Sequence, residues 1–413
     1  MMHFMATTLL LVIYLSYISL GLPDTLLGAA WPALRLDLGA SLDMAGIVSF
    51  VVSLGTVVSS LLSSRMIRRF GTGRIAFFSV LSTALALLGF SCSGSFAWLL
   101  VMAVPLGLGA GAVDAGLNNF VALHYKAWHM NFLHCFWGIG AMSGPLIMSF
   151  WLSQGSQWRL GYRTVAILQF FLVALLGLSL PLWKRLEHGA AGAEDLPVQR
   201  EIGNLAALKL PGVKTALAAF FCYCSLEIAT GLWSSSYLVE CRGVPADDAA
   251  MFTSIFYGGI ALGRLLSGAL TRRLNNRTLI RAGQAGCAAG ALLMLLPLPL
   301  PANVCGLLLF GLGCAPLYPA MLQETPSRFG AEVSQTVMGL QMAVAYFGST
   351  VMPPLLGFAA QRTTIAVFPW FLLAAVGLMF LFCEKLNRFL ARRAEKRPDP
   401  ASSAETVDNS RQL

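Results

Sequence analysis

Residues 99–120 read LLVMAVPLGLGAGAVDAGLNNF. Twenty-two residues carry a single charge, Asp114, and that length is enough for a helix to cross the hydrocarbon of a bilayer. Gly107, Gly111, Asp114 and Asn118 recur at i, i+4, i+7 and i+11, which places them on one stripe of a helix. Glycines on a membrane helix let a neighbour approach closely, so the stripe faces other helices and carries the acid with it. A carboxylate in hydrocarbon is costly unless it is protonated, paired or wetted, and by default it marks a path for an ion or solute. The stretch also recurs: LGLGAGAVDAG (106–116) lines up with FGLGCAPLYPA (310–320), with Tyr318 opposite Asp114.

Working outward, the whole chain repeats the same composition. Its 413 residues are 57% hydrophobic and only 11% charged, with a mean hydropathy of +0.71. Soluble proteins carry roughly 25% charged residues, so too few charges are present to solvate a surface of this size. Apolar runs of membrane-spanning length number twelve: six between residues 6–30 and 162–183, and six between 212–238 and 364–383. The fold expected is an all-α membrane protein of twelve transmembrane helices in two six-helix bundles. The bundles are placed at 1–183 and 212–383, joined by a polar cytoplasmic linker at 184–211 and followed by a tail at 384–413, a short basic helix and then disorder. The first apolar run is too long for a leader and is read as the first span.

Two further stretches repeat. LGTVVSSLLSSRMIRRF (54–70) lines up with LGRLLSGALTRRLNNR (262–277) at an offset of 208, and Gly140 and Pro145 line up with Gly348 and Pro353. Parallel repeats of six helices are an architecture of secondary transporters. The net charge of +9 is no nucleic-acid signal. With both termini cytoplasmic, 22 of the 28 Lys and Arg fall on the cytoplasmic side, as insertion orientation requires. The nine cysteines have no metal-ligand spacing and read as small apolar fillers.

Two more acids stand inside apolar spans: Asp24 in YLSYISLGLPDTLLGAAW and Glu227 in TALAAFFCYCSLEIATGLW. Asp24 reads as a functional acid, with an interfacial position near the outer end of the first span, suggested by Pro23 and Trp31, as its alternative. Tyr17, Gly21 and Asp24 share a stripe there, as do Asn131, His134, Cys135 and Gly138 on the fifth span and Tyr223, Glu227 and Ser234 on the seventh. Asn131 and His134 serve either the solute or inter-helix hydrogen bonding. Gln341 and Gln323 are amides suited to hydroxyls. Arg264, one turn inside the eighth span, reads as a snorkelling side chain ahead of a solute contact.

The loop after the second span, with Arg65, Arg68, Arg69, Gly71, Gly73 and Arg74, resembles the basic Gly-Arg loop of the major facilitator superfamily. Ser64 stands near the carboxylate that would complete its latch, so the loop is either a degenerate latch or a set of cytoplasmic anchors. Within that superfamily the chain is similar to the fucose–proton symporter group, which includes glucose carriers. The segment LPDTLL (22–27), the Gly-rich run ending at Asp114, where the group has Glu, the run MNFLHCFWGIGA (130–141) and Glu227 carry the likeness. The resemblance implies that the first, fourth, seventh and tenth spans line a central cavity bordered by the fifth.

The chain is therefore expected to be a secondary transporter and not an enzyme, importing a small polar solute, a sugar, with a proton. Asp24 and Asp114 are assigned to proton coupling; Tyr17, Asn118, Asn131, His134, Glu227, Tyr318 and Gln341 are assigned to the solute. One or two cavity aromatics are expected to stack on the sugar. A proton-driven exporter of drugs or metabolites is the competing reading, and sodium coupling stays open. No phosphate-binding loop, nucleophile elbow or metal cluster is present in the sequence, so no cofactor is expected. A monomer in a bacterial inner membrane, with the bilayer, solute and proton as its partners, completes the expectation.

Overall fold

The computed structural model describes residues 2–125, 128–189, 203–270 and 273–395. The core of the expected linker and the tail beyond Glu395 lie outside the described residues, as does the Ser64 side chain. Among the described residues the chain forms fifteen helices and twelve segments long and apolar enough to cross a membrane. The first span is two helices, α1 (Met2–Asp24) and α2 (Leu26–Asp37). Pro23 lies at the end of α1, where its ring removes a backbone donor, and the chain breaks at Thr25. Because α2 continues to Asp37, Asp24 sits inside the span and not near its outer end; Trp31 is fully buried and donates to the Leu42 carbonyl.

The other spans of the first half are α3 (Met44–Phe70), α4 (Thr72–Ser91), α5 (Phe96–His124), α6 (Trp128–Ser153) and α7 (Trp158–Gly189). Their ends follow local chemistry. Ser95 accepts from the Trp98 amide at the start of α5. Gly71, at φ 81°, turns the chain between α3 and α4 in a region that other L residues avoid. A short α8 (Asn204–Lys209) precedes the second half: α9 (Val213–Arg242), α10 (Ala246–Leu270), α11 (Asn276–Leu295), α12 (Leu300–Gln323), the short α13 (Thr325–Phe329), α14 (Ala331–Arg362) and α15 (Val367–Glu395).

Within the first half α5 packs on α3 and α4, and α1 on α6 and α7; the second half repeats this with α12 on α10 and α11, and α9 on α14 and α15. Close glycine contacts show the register of the repeat. A Cβ on Gly107 would meet the Val52 carbonyl, and one on Gly311 would meet the Phe256 carbonyl. Gly109 stands against Ser79 and Thr83, and Gly313 against Gly283 and Cys287. All of these pairs are separated by 204 residues. The 208 offset read from 54–70 is thus one helical turn too long. A four-residue slip keeps the same face of a helix, so the sequence pattern alone could not register it.

The halves touch through α6 on α10, α3 on α14, and α2 on α9 and α10. One end of this seam is closed tightly. A Cβ on Gly28 would fall on the Gly231 carbonyl and one on Gly46 on the Pro354 backbone. Arg35 of α2 pairs with Glu240 of α9 at 2.6 Å, and the Leu42 amide donates to Gln361 Oε1 at 3.0 Å. These contacts lie at the end away from α8 and the end of α15.

Candidate functional site

Between the halves lies a cavity of about 1390 Å³. It runs from Gly28 and Gly231, at the closed end, to Arg273, Asn276 and Gln323 at the other. Asp24, Asp114 and Glu227 all line it, with Tyr17, His134 and Tyr318. The structure therefore brings together on one cavity side chains from α1, α5, α6, α9 and α12, far apart in sequence. Their locations follow from the glycine faces. Gly107 and Gly111 seat α5 against α3, at Val52 and Thr56, and Asp114, two turns along, reaches the open side.

On the first-half wall the acids have partners. Asp114 Oδ1 accepts from the Tyr17 hydroxyl at 3.1 Å and from Asn118 Nδ2 at 3.0 Å. Asp24 Oδ2 accepts from Trp137 Nε1 at 3.0 Å. Each bond favours a fixed carboxyl position; bonds to a charged acceptor contribute about 1.5–3 kcal/mol apiece. His134 stands edge-on to Tyr17, with ring centres 6.1 Å apart.

The second-half wall differs. At the position equivalent to Asp114 stands Tyr318, whose hydroxyl meets Met342 Sδ at 3.2 Å. Glu227 faces Arg264, Oε1 to Nη2, at 3.8 Å, and the Arg264 guanidinium lies 5.2 Å from the Trp137 ring centre. Arg264 lines the cavity. The snorkelling reading is corrected by this placement: the side chain turns inward because Glu227 and the Trp137 ring face offer a cation more there than lipid does.

Three further sequence readings change. Asn118 is not on the cavity wall; its amide, one turn beyond Asp114, is spent on the Asp114 side chain and backbone oxygen. Gln341 is 2% exposed and its Oε1 accepts from Thr325 Oγ1 at 3.0 Å, so it ties α14 to α13 away from the cavity. On α9, Tyr223 and Ser234 are fully buried, Ser234 against Thr253, while Cys224, Glu227, Ile228, Gly231 and Leu232 line the cavity. Asn131 lies on α6, but its side chain is outside the described residues. Among the described residues no cluster of His, Cys, Asp and Glu could hold a metal ion.

Sequence reasoning missed Tyr257, which joins Trp137 and Tyr346 on the lining. Tyr257 meets Trp137 edge-on at 6.5 Å across the seam between halves. No periodicity separates a lining aromatic from a packing one.

The model of the Major Facilitator Superfamily matches residues 13–353 and 215–408. The chain belongs to that superfamily. It is a transporter and not an enzyme. The glucose/mannose transporter GlcP of Bacillus subtilis (strain 168) is 24% identical over 361 residues, covering 85% of this chain and 88% of that protein. The cis,cis-muconate transport protein of Acinetobacter baylyi (strain ATCC 33305 / BD413 / ADP1) is 22% identical, covering 92% of each. Among solved structures, the nucleoside transporter NupG superposes with a TM-score of 0.73 at 13% identity, covering 93% of this chain and 98% of that one. These likenesses agree on fold and on transport.

Proposed function

We propose that the protein carries a sugar across the membrane together with a proton. The observation that carries this reading is Asp114: a carboxyl within a membrane span, on the cavity, held by donors from α1 and from its own helix. Protonation removes a charge that is costly to enclose when the cavity closes around the solute. Asp24, on the same wall, is a second proton site. Glu227 is an acceptor for solute hydroxyls, and the aromatic rings of Trp137, Tyr257 and Tyr318 suit the apolar C–H face of a pyranose. The likeness to a glucose/mannose transporter supports the solute class.

Alternating access follows from the seam. The contacts at Gly28, Gly46 and Arg35 close one end, and rocking the 1–183 bundle against the 212–383 bundle about the site would break them and close the other. With the Lys and Arg distribution setting orientation, the closed end is external, and the cavity faces the cytoplasm, where the termini lie.

The test is uptake of labelled hexoses into proteoliposomes with and without an imposed pH gradient. Accumulation driven by the gradient is expected. Uptake driven by a sodium gradient and indifferent to pH would replace the coupling ion. The second reading is a proton-driven exporter. The cavity volume and its apolar lining, Phe90, Phe132 and Leu106 among it, favour a larger apolar solute, and efflux of such compounds with no hexose transport would select it.

A further inference from the structure

Glu227 and Arg264 form an ion pair that is not closed. At 3.8 Å their nearest atoms stand beyond hydrogen-bond distance. A guanidinium carries five N–H donors in a fixed plane and can never shed its charge. The described residues offer Arg264 no hydrogen-bond acceptor, only the Trp137 ring face at 5.2 Å. Glu227 has the buried Tyr223 hydroxyl beside it, one turn back on α9, which leaves the other lone pairs of the carboxylate open. Both side chains are largely enclosed, 12% and 16% exposed, yet both open onto the cavity. A buried pair that served only to join α9 to α10 gains most when its geometry is tight and its donors are satisfied. This pair instead leaves an acceptor and a donor fork side by side, both facing the site.

The position of Arg264 is fixed from the opposite half. The guanidinium carbon of Arg264 lies over the Trp137 ring, and Trp137 Nε1 is committed to Asp24. A cation–π contact takes up no hydrogen-bond acceptor, so it leaves guanidinium N–H groups for a ligand. A ligand reaching the pair therefore meets one negative acceptor and one positive donor with no net charge between them. Adjacent hydroxyls on a sugar ring are about one hydrogen-bonded O···O distance apart, about 2.8 Å. One can donate to Glu227 while its neighbour accepts from Arg264. A carboxylate would compete with Glu227 for the guanidinium and add charge to a cavity already lined by Asp24, Asp114 and Glu227.

We propose that Glu227 and Arg264 together form a subsite for two adjacent hydroxyls of a neutral solute, with Arg264 as a specificity-determining residue. This rests on the reading of the solute as a sugar. The experiment is calorimetric binding to the purified full-length protein of D-glucose, D-mannose, D-galactose and L-fucose, and of every monodeoxy analogue of whichever hexose binds. In the wild type, removing either of two neighbouring hydroxyls should weaken binding at least tenfold. In Glu227→Gln and in Arg264→Gln that penalty should fall below threefold, and the double variant should bind no more weakly than the weaker single one. Arg264→Lys, which keeps a donor with less change to packing, should retain part of the preference. Variants that lose affinity while keeping the full deoxy penalties would show that the pair only supports the fold and would overturn the subsite. So would a wild type that binds a hexose with no sensitive adjacent pair, the sugar reading then still standing. A wild type that binds none of the hexoses but binds D-glucuronate or cis,cis-muconate, with that affinity lost in Arg264→Gln, would remove the sugar reading and the diol subsite together.

Discussion

Asp114 on α5 and Tyr318 on α12 stand at equivalent positions of the repeat, yet their surroundings differ in kind. Asp114 is an acid whose oxygen is held by Tyr17 and Asn118, while Tyr318 is a phenol resting on a methionine sulfur. The difference extends along both walls. On the first half the carboxyls of Asp24 and Asp114 are each tied to neutral donors, which can persist in either protonation state. On the second half Glu227 faces a permanent cation across an ion pair that is not closed. Under the proposed function, the same six-helix unit would hold an acid of variable charge on one side and meet a polar ligand on the other. The repeat supplies the frame, and the side chains on the cavity face set the two walls apart.

The strongest way to break this contrast is Asp114→Asn. Amide and carboxyl are nearly isosteric, so the wall keeps its shape and loses only its titrating group. Solute accumulation against a gradient should be abolished, while counterflow exchange of solute persists; full accumulation in this variant would remove Asp114 from the coupling role. On the opposite wall, Glu227→Ala should weaken solute binding more than tenfold, about 1.5–3 kcal/mol for a lost charged hydrogen bond, as read by calorimetry. Unchanged binding with lost coupling would move Glu227 to the proton side and erase the contrast.

The twelve spans were legible because each is an apolar run near the length that hydrocarbon requires, and Asp114 because glycines on its own stripe marked the face that packs. Arg264 was not legible in the same way. A single basic residue one turn inside a span reads as an anchor ahead of a ligand, and what turns it inward is Trp137 and Glu227, which come from other helices. Gln341 failed in the opposite sense. An amide in an apolar run has to be satisfied somewhere, and here Thr325, sixteen residues away in the chain, supplies the bond. The 204-residue register was hidden for a further reason: only backbone approach, at pairs such as Gly107 with Val52 and Gly311 with Phe256, tells one turn of a helix from the next.

Two smaller effects sharpen the picture at the closed end, where the halves meet alike. Gly28→Val places methyl groups against the Gly231 and Leu232 backbone and should hold that end ajar. Labelling of a cysteine introduced at Leu42, in a background lacking the exposed Cys92 and Cys305, should rise several-fold; no change would show that Gly28 does not gate. Arg35→Ala should do less. Its pair with Glu240 is partly exposed, 22% and 30%, and such pairs contribute about 0–1 kcal/mol, so the same labelling should rise less than about fivefold.

Proton movement accompanying the solute decides whether the first-half wall does what its chemistry indicates. In weakly buffered proteoliposomes with no imposed gradient, adding a transported sugar outside should make the external medium more alkaline as protons enter with it, and Asp114→Asn should abolish the signal while sugar exchange continues. Sugar entry with no change in external pH, or the same alkalinisation in Asp114→Asn as in the wild type, would contradict proton coupling through Asp114.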